Sequence, residues 1–173
     1  EKSQTFRIAL RIPGWCRKYS VSCNGQPVQG VLENGYYYIQ RCWQEKDQLE
    51  LRMEMPVELV QANPKVRENV GKAALMRGPV VYCLEEADNG ADLHRIRLQN
   101  DGEYRVQYEP EMLGGVVTIR GEGQMLQQND WSGDELYAVQ KPAQYQKKQL
   151  LWIPYYAWAN RSAGELLVWI RKE

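Results

Sequence analysis

Short apolar patterns of period two recur along this chain, each closed within a few residues by a turn-forming pair. Phe6, Ile8, Leu10 and Ile12 alternate with Arg7, Ala9 and Arg11, and Pro13-Gly14 ends the run. Successive side chains of a strand point to opposite faces, so this run predicts a strand with one apolar and one largely cationic face. Tyr19, Val21 and Cys23 alternate with Ser20 and Ser22 ahead of Asn24-Gly25. Asn-Gly tolerates the two left-handed positions of a primed hairpin turn. Asn34-Gly35 repeats that signal before the strand Tyr36–Arg41. Leu49, Leu51, Met53 and Met55 then alternate with Gln48, Glu50, Arg52 and Glu54. Pro56 and Pro64 restrict Val57–Val60 to an edge or a strand start.

From Lys72 to Leu84 the chain reads KAALMRGPVVYCL, split by Gly78-Pro79. Such continuity suits strands covered on both faces. It predicts Leu75, Val80 and Tyr82 in a core, packed against the apolar segments Ile153–Trp158 and Leu166–Ile170. Asn89-Gly90 and Asp101-Gly102 flank Leu93–Leu98. Tyr104, Val106 and Tyr108 alternate with Glu103, Arg105, Gln107 and Glu109, and Val116–Ile119 follows Gly114-Gly115. The polar stretch Gly121–Gly133 reads as a long loop. No segment carries a 3.6-residue apolar period over a helix's length. About thirteen short strands with turns every eight to twelve residues make an all-β chain of sandwiches. The expected architecture is two small antiparallel β-sandwich, jelly-roll-like modules, residues 1–70 and 71–173. The boundary is placed at Val66–Gly71, where Pro64 and Asn69-Val70-Gly71 interrupt the strand pattern. The opening EKSQTF runs almost at once into a strand, so the chain reads as part of a longer protein.

Lys+Arg and Asp+Glu are each 22, giving zero formal charge. Without a basic stripe, nucleic acid is not expected as a partner. No apolar run approaches the ~20 residues that span a bilayer, so no membrane partner is expected either. Eleven Tyr and six Trp stand against one Phe, a bias that suits strands and equally suits a sugar-contacting surface. Cys16, Cys23, Cys42 and Cys83 form no C-x-x-C pair and lie at no zinc-ligand spacing to a histidine. They read as isolated thiols, with Cys23–Cys42 or Cys16–Cys83 disulfides as the alternative in an exported protein. Localisation is otherwise open, and unpaired thiols favour the cytoplasm over export.

Glycoside hydrolysis generally needs two carboxylates about 5–10 Å apart. Glu85, Glu86 and Asp88 cluster, as do Glu45 with Asp47, and Asp130 with Asp134 and Glu135. All three groups read as solvated loop charges. His94, the sole histidine, reads as a surface or hydrogen-bonded residue at a strand start. Arg7 and Arg11 read as a solvated or ion-paired outer face. Among the aromatics, Trp158 and Trp169 are expected in a core, and Trp131 is expected to be exposed. Trp131, Tyr155 and Tyr156 are the candidate ligand or partner contacts.

Several segments, in order, resemble the C-terminal part of the β-L-arabinofuranosidase family, glycoside hydrolase family 127. They are LRIPGW (Leu10–Trp15), VSCNGQPV (Val21–Val28) and YYYIQRCWQEKDQLELRMEMPVELVQANPKV (Tyr36–Val66). NVGKAALMRGPVVYCLEEADN (Asn69–Asn89), IPYYAWANR (Ile153–Arg161) and GELLVWIR (Gly164–Arg171) follow. The resemblance implies a β-sandwich region whose catalytic (α/α)6 barrel lies upstream, and a first module that lacks an outer strand ahead of Phe6. It further implies a catalytic cysteine in a zinc site of one glutamate and three cysteines, two of them adjacent, all in that barrel. This sequence has no Cys-Cys pair, so no catalytic or metal-ligating residue is carried over, and no cofactor is expected in this chain. The resemblance thus implies a non-catalytic region that supports the barrel and contacts a second subunit. The alternative is a carbohydrate-binding module for plant arabinose-containing glycans.

Overall fold

A computed structural model describes residues 3–128 and 131–172. The chain divides into two compact units, the first ending at Pro56 and the second starting at Val57. The first contains β1 (Gln4–Arg11), β2 (Tyr19–Cys23), β3 (Gln26–Pro27), β4 (Val31–Glu33), β5 (Tyr36–Trp43) and β6 (Leu49–Met53). They form two three-stranded antiparallel sheets, ordered β1-β5-β4 and β3-β2-β6. Asn24 and Gly25 have φ of 53° and 76°, and Asn34 and Gly35 have 51° and 76°. Both pairs therefore occupy the mirror-turn positions that their sequence predicts.

Val21, Cys23, Ile39 and Trp43 are buried in this unit, with Ile8, Leu10, Leu49 and Leu51 half-buried around them. Phe6 departs from the alternation and is 46% exposed, so β1 buries its apolar face only from Ile8 onward. Arg7 and Arg11 are exposed, as a solvated outer face requires, and each lies against a ring. The Arg7 guanidinium lies 4.6 Å from the Tyr38 ring centre and that of Arg11 5.3 Å from Tyr36. The β1–β5 register sets Arg11 opposite Tyr36 and brings both rings to the cationic face. Asp47 ties the connections together: it accepts from Asn24 Nδ2 at 2.8 Å and from the Gln44 N–H at 2.9 Å.

The second unit contains β7 (Val57–Val60), β8 (Lys72–Arg77), β9 (Val80–Glu85), the single-turn helix α1 (Glu86–Asn89) and β10 (Ile96–Leu98). It continues with β11 (Tyr104–Glu109), β12 (Val116–Leu126), β13 (Tyr145–Pro154), β14 (Leu166–Leu167) and β15 (Ile170–Lys172). The strands run β14-β9-β13-β12-β10-β15-β8-β7, with β11 on β12 and a further β8–β9 pairing that closes the path on itself. The pairings are antiparallel except β10–β15, which is parallel. The all-β, sandwich-like class is as expected.

The division falls at Pro56–Val57 rather than at Val66–Gly71. The reason is pairing: Val57–Val60 add to β8, with Val57 opposite Arg77 and Val60 opposite Ala74. Strand β12 also runs through Leu126, where a loop from Gly121 was expected. Its polar appearance includes glycines that the packing requires. A Cβ at Gly123 would stand 3.0 Å from the Arg97 carbonyl oxygen and 2.5 Å from Leu150 Cδ1.

The core of this unit is Leu75, Tyr82, Leu84, Leu93, Ile96, Leu98, Ile119, Leu150, Trp152 and Ile170, with Val80 and Leu167 packed half-buried against it. The middle of the chain thus meets its last strands as the apolar pattern predicts. Trp169, expected in the core, is half-buried, and Trp158 is 41% exposed. Strand β13 ends at Pro154, so the 3-10 turn Tyr155–Ala157 breaks the alternation that would have carried Trp158 inward. All four cysteines are free: Cys16, Cys23 and Cys83 are buried and Cys42 is exposed, so neither alternative disulfide is present. Among the described residues no helix is long and apolar enough to cross a membrane.

Candidate functional site

The most highly organised polar cluster in the second unit lies where β9 runs into α1 and meets the loop after β13. Glu85 ends the nearly continuous apolar run of β9 and is only 6% exposed. Asp88 lies one helical turn further on. Arg161 reaches both: Nε is 3.1 Å from Glu85 Oε2, Nη2 also donates to that oxygen, and Nη1 and Nη2 lie 2.8 and 2.5 Å from the two Asp88 oxygens. Glu85 Oε1 accepts from the Ala159 N–H at 3.0 Å. Asn89 donates to the Glu85 and Leu151 carbonyls and accepts from the Leu151 N–H, joining α1 to β13. Glu86 and Glu165 exchange backbone and side-chain bonds at 3.0 and 2.8 Å.

This arrangement corrects the expectation of solvated loop charges at Glu85 and Asp88. A buried carboxylate requires a partner, and the fork of Arg161 supplies one to each. The hydrogen bonds that Arg161 donates to Asp88, and further to Glu85, raise the Arg161 pKa above its ordinary value. Both carboxylates are therefore occupied by a permanent cation, which makes a structural clamp rather than an acid and a base facing a scissile bond.

The clamp braces a ledge of rings. Tyr155, Tyr156 and Trp158 are 45%, 70% and 41% exposed. The Tyr155 and Trp158 rings stack at 6.0 Å with 10° between their planes. Trp158 borders a hollow of about 320 Å³ together with Glu86, Arg161, Ser162 and Glu165. Trp131, the other predicted contact, is 42% exposed as expected, on a separate hollow of about 440 Å³ beside His94, Arg95, Glu135 and Arg171. Lys141 Nζ lies 4.6 Å from the centre of its ring and 2.6 Å from Glu135. Asp130 falls outside the described residues. His94 is exposed on the 3-10 turn Leu93–Arg95, immediately before β10.

Cys16 donates to the Lys18 carbonyl, and burial, followed by the negative charge of Glu85, pushes the Cys83 thiol up to about 12. Among the described residues the one convergent group of metal-ligating side chains is Asp92, His94 and Glu165, which contains no thiol. Arg161 was the functional residue that sequence reasoning missed. Its signal was indirect: an acidic residue closing an apolar strand must find a cation somewhere.

Residues 57–171 match the profile of the glycoside hydrolase family 127 C-terminal domain, and residues 1–55 match that of the β-L-arabinofuranosidase GH127 middle domain. The chain belongs to glycoside hydrolase family 127. The two profiles meet where the structure divides, at Pro56–Val57. The Arg161 clamp and the aromatic ledge both lie in the C-terminal domain.

A non-reducing end β-L-arabinofuranosidase of Bifidobacterium longum subsp. longum is 37% identical over 97% of the chain, which covers 26% of that protein. The crystal structure of a GH127 β-L-arabinofuranosidase from Geobacillus stearothermophilus T6 matches with a TM-score of 0.93 and 44% identity. That match covers all of this chain and 27% of the other. A second solved GH127 β-arabinofuranosidase matches with a TM-score of 0.86 and 34% identity, over 28% of its length. The chain thus spans about a quarter of the relatives it matches.

Proposed function

We propose that these residues form the non-catalytic β-sandwich region of a β-L-arabinofuranosidase-like hydrolase, docked through its aromatic ledge on the catalytic (α/α)6 barrel of the same protein. The observation that carries this reading is the Arg161 clamp. It consumes the Glu85 and Asp88 carboxylates in making a rigid edge, and that edge presents Tyr155, Tyr156 and Trp158 outward. Tyr and Trp suit an interface because each offers a large apolar body with a polar tip. The family's catalytic zinc is proposed to sit in that barrel, and a second copy of the protein is a further candidate partner.

The direct test is turnover of an aryl β-L-arabinofuranoside by the 173-residue chain, with and without added zinc. No turnover is expected, and clear turnover overturns the reading. In the longer parent protein, Tyr156→Ser combined with Trp158→Ser should lower the unfolding temperature, with little change in the isolated chain. Equal effects in both would mean that the ledge is not an interface.

A second reading, a carbohydrate-binding module, is favoured by one observation: the exposed Trp131 beside a hollow with charged and polar walls. Retardation on gels containing arabinose-bearing plant glycans, lost on Trp131→Ala, would support it. Equal mobility with and without glycan would remove it.

A further inference from the structure

We infer that Asp92, His94 and Glu165 form a binding site for a divalent cation that accepts nitrogen and oxygen donors together, of the Zn2+ or Mn2+ kind. One donor atom from each of the three side chains lies within 4.8 Å of the other two. Donors on a common ion at ~2.0–2.2 Å are at most ~4.4 Å apart, so small side-chain rotations complete the set. Asp92 is half-buried and the other two are exposed, which leaves room for them and for water in the remaining positions.

The two carboxylates are held in place from one side only. Glu165 Oε2 accepts the Leu93 N–H at 2.7 Å, and Asp92 Oδ2 accepts from Arg95 Nη1 at 2.9 Å. Each acid therefore keeps its other oxygen for an ion. Arg95 is itself fixed by bonds to the Leu126 carbonyl at 2.9 and 2.5 Å, so it orients Asp92 from a set position. Glu165 is also anchored through its backbone, its N–H donating to Glu86 and its C=O accepting from it. The imidazole decides the class of ion. Two carboxylates alone suit Ca2+ or Mg2+, whereas an added nitrogen favours transition-type ions. A bound ion would fasten the turn before β10 to the residue before β14, reinforcing the Leu93–Glu165 bond.

The test is a zinc titration of the tag-free full chain carrying Cys42→Ser, which removes the exposed thiol as a competing ligand. His94 is the sole histidine, so its side-chain NMR signals report the site without assignment ambiguity. One equivalent of Zn2+ should shift those signals saturably and raise the unfolding temperature, and Ca2+ at equal concentration should do neither. His94→Ala and Glu165→Gln should each weaken binding at least about tenfold, and both proteins should stay folded because the altered groups are exposed. Unshifted imidazole signals at millimolar zinc would overturn the assignment. So would a zinc affinity unchanged in both variants.

Discussion

In the first unit, two Asn-Gly turns set the β2–β3 and β4–β5 pairings, and four buried side chains, Val21, Cys23, Ile39 and Trp43, suffice for its core. In the second, ten buried side chains come together from strands spread between Leu75 and Ile170, and a buried acid at Glu85 is neutralised by Arg161. One region is organised by turn chemistry that acts over two residues. The other is organised by long-range burial, which leaves charged groups inside that must find each other. The contrast teaches where each is vulnerable: the first at its turns and small core, the second at any residue that joins its distant parts.

The largest expected effect tests the two cores against each other. Trp152→Ala should cost about 4 kcal/mol and Trp43→Ala about 3 kcal/mol, each removing a large buried ring. Trp152 is fully buried, and Trp43 is 6% exposed with its Nε1 donating to the Phe6 carbonyl. Urea unfolding, combined with hydrogen exchange, should show each loss confined to its own unit. Loss of protection in both units from either variant would end the comparison. Half-buried Trp169 should cost only about 1–2 kcal/mol on change to Ala, in line with the smaller area it withdraws from water.

Next in size is the clamp. Arg161→Ala strands the buried Glu85 without a cation and should destabilise the second unit by about 3 kcal/mol. Arg161→Ala combined with Glu85→Gln should recover part of that loss, because the unpaired charge is gone. A double variant no more stable than the single one would show that the clamp acts by packing rather than by charge.

A smaller effect is expected at the first hairpin turn. Gly25 has φ of 76° and open space around its Cβ position, so Gly25→Ala meets only backbone strain. About 1 kcal/mol is expected from chemical denaturation.

Within ordinary working pH the titrations are the smallest effects, and those of Asp47 and Cys83 act in opposite directions. In the first unit, the Gln44 N–H and then Asn24 hold the Asp47 carboxyl below its ordinary 3.8. Its stabilising contribution is therefore present above that value and fades as the pH falls through the lower folded-state value. In the second, burial raises the Cys83 thiol from 9.0 to about 12 and also raises Tyr82 and Tyr104 above 10.0. The folded unit retains protons that the unfolded chain gives up. The contribution from Cys83 is thus complete below pH 9 and declines as the pH rises toward 12. Asp47→Asn should flatten the acid limb of a stability–pH curve, and Cys83→Ala part of the alkaline limb. An acid limb unchanged by Asp47→Asn, or an alkaline limb unchanged by Cys83→Ala, would contradict the assignment.

The strands were largely legible because alternation and Asn-Gly pairs act locally, and Leu75 and Tyr82 are buried as their apolar run implies. Trp158 misled because a 3-10 turn after Pro154 resets which way side chains face, and no period in the residues records that reset. At the candidate site, Trp131 is exposed as its place in a polar stretch implies, and Tyr155 and Tyr156 are exposed as well. The burial of Glu85 and the ion pairing of both Glu85 and Asp88 did not agree with their reading as solvated charges.

By itself the sequence determined the all-β class, the position of both mirror turns and the family wording, since each depends on residues close together in the chain. Only the tertiary structure decided that β7 belongs with β8, that Arg161 closes on Glu85 and Asp88, and that His94 stands beside Asp92 and Glu165. Each of these needs two or more segments brought together by burial of a shared core, and no local pattern encodes which distant partner a buried charge will find.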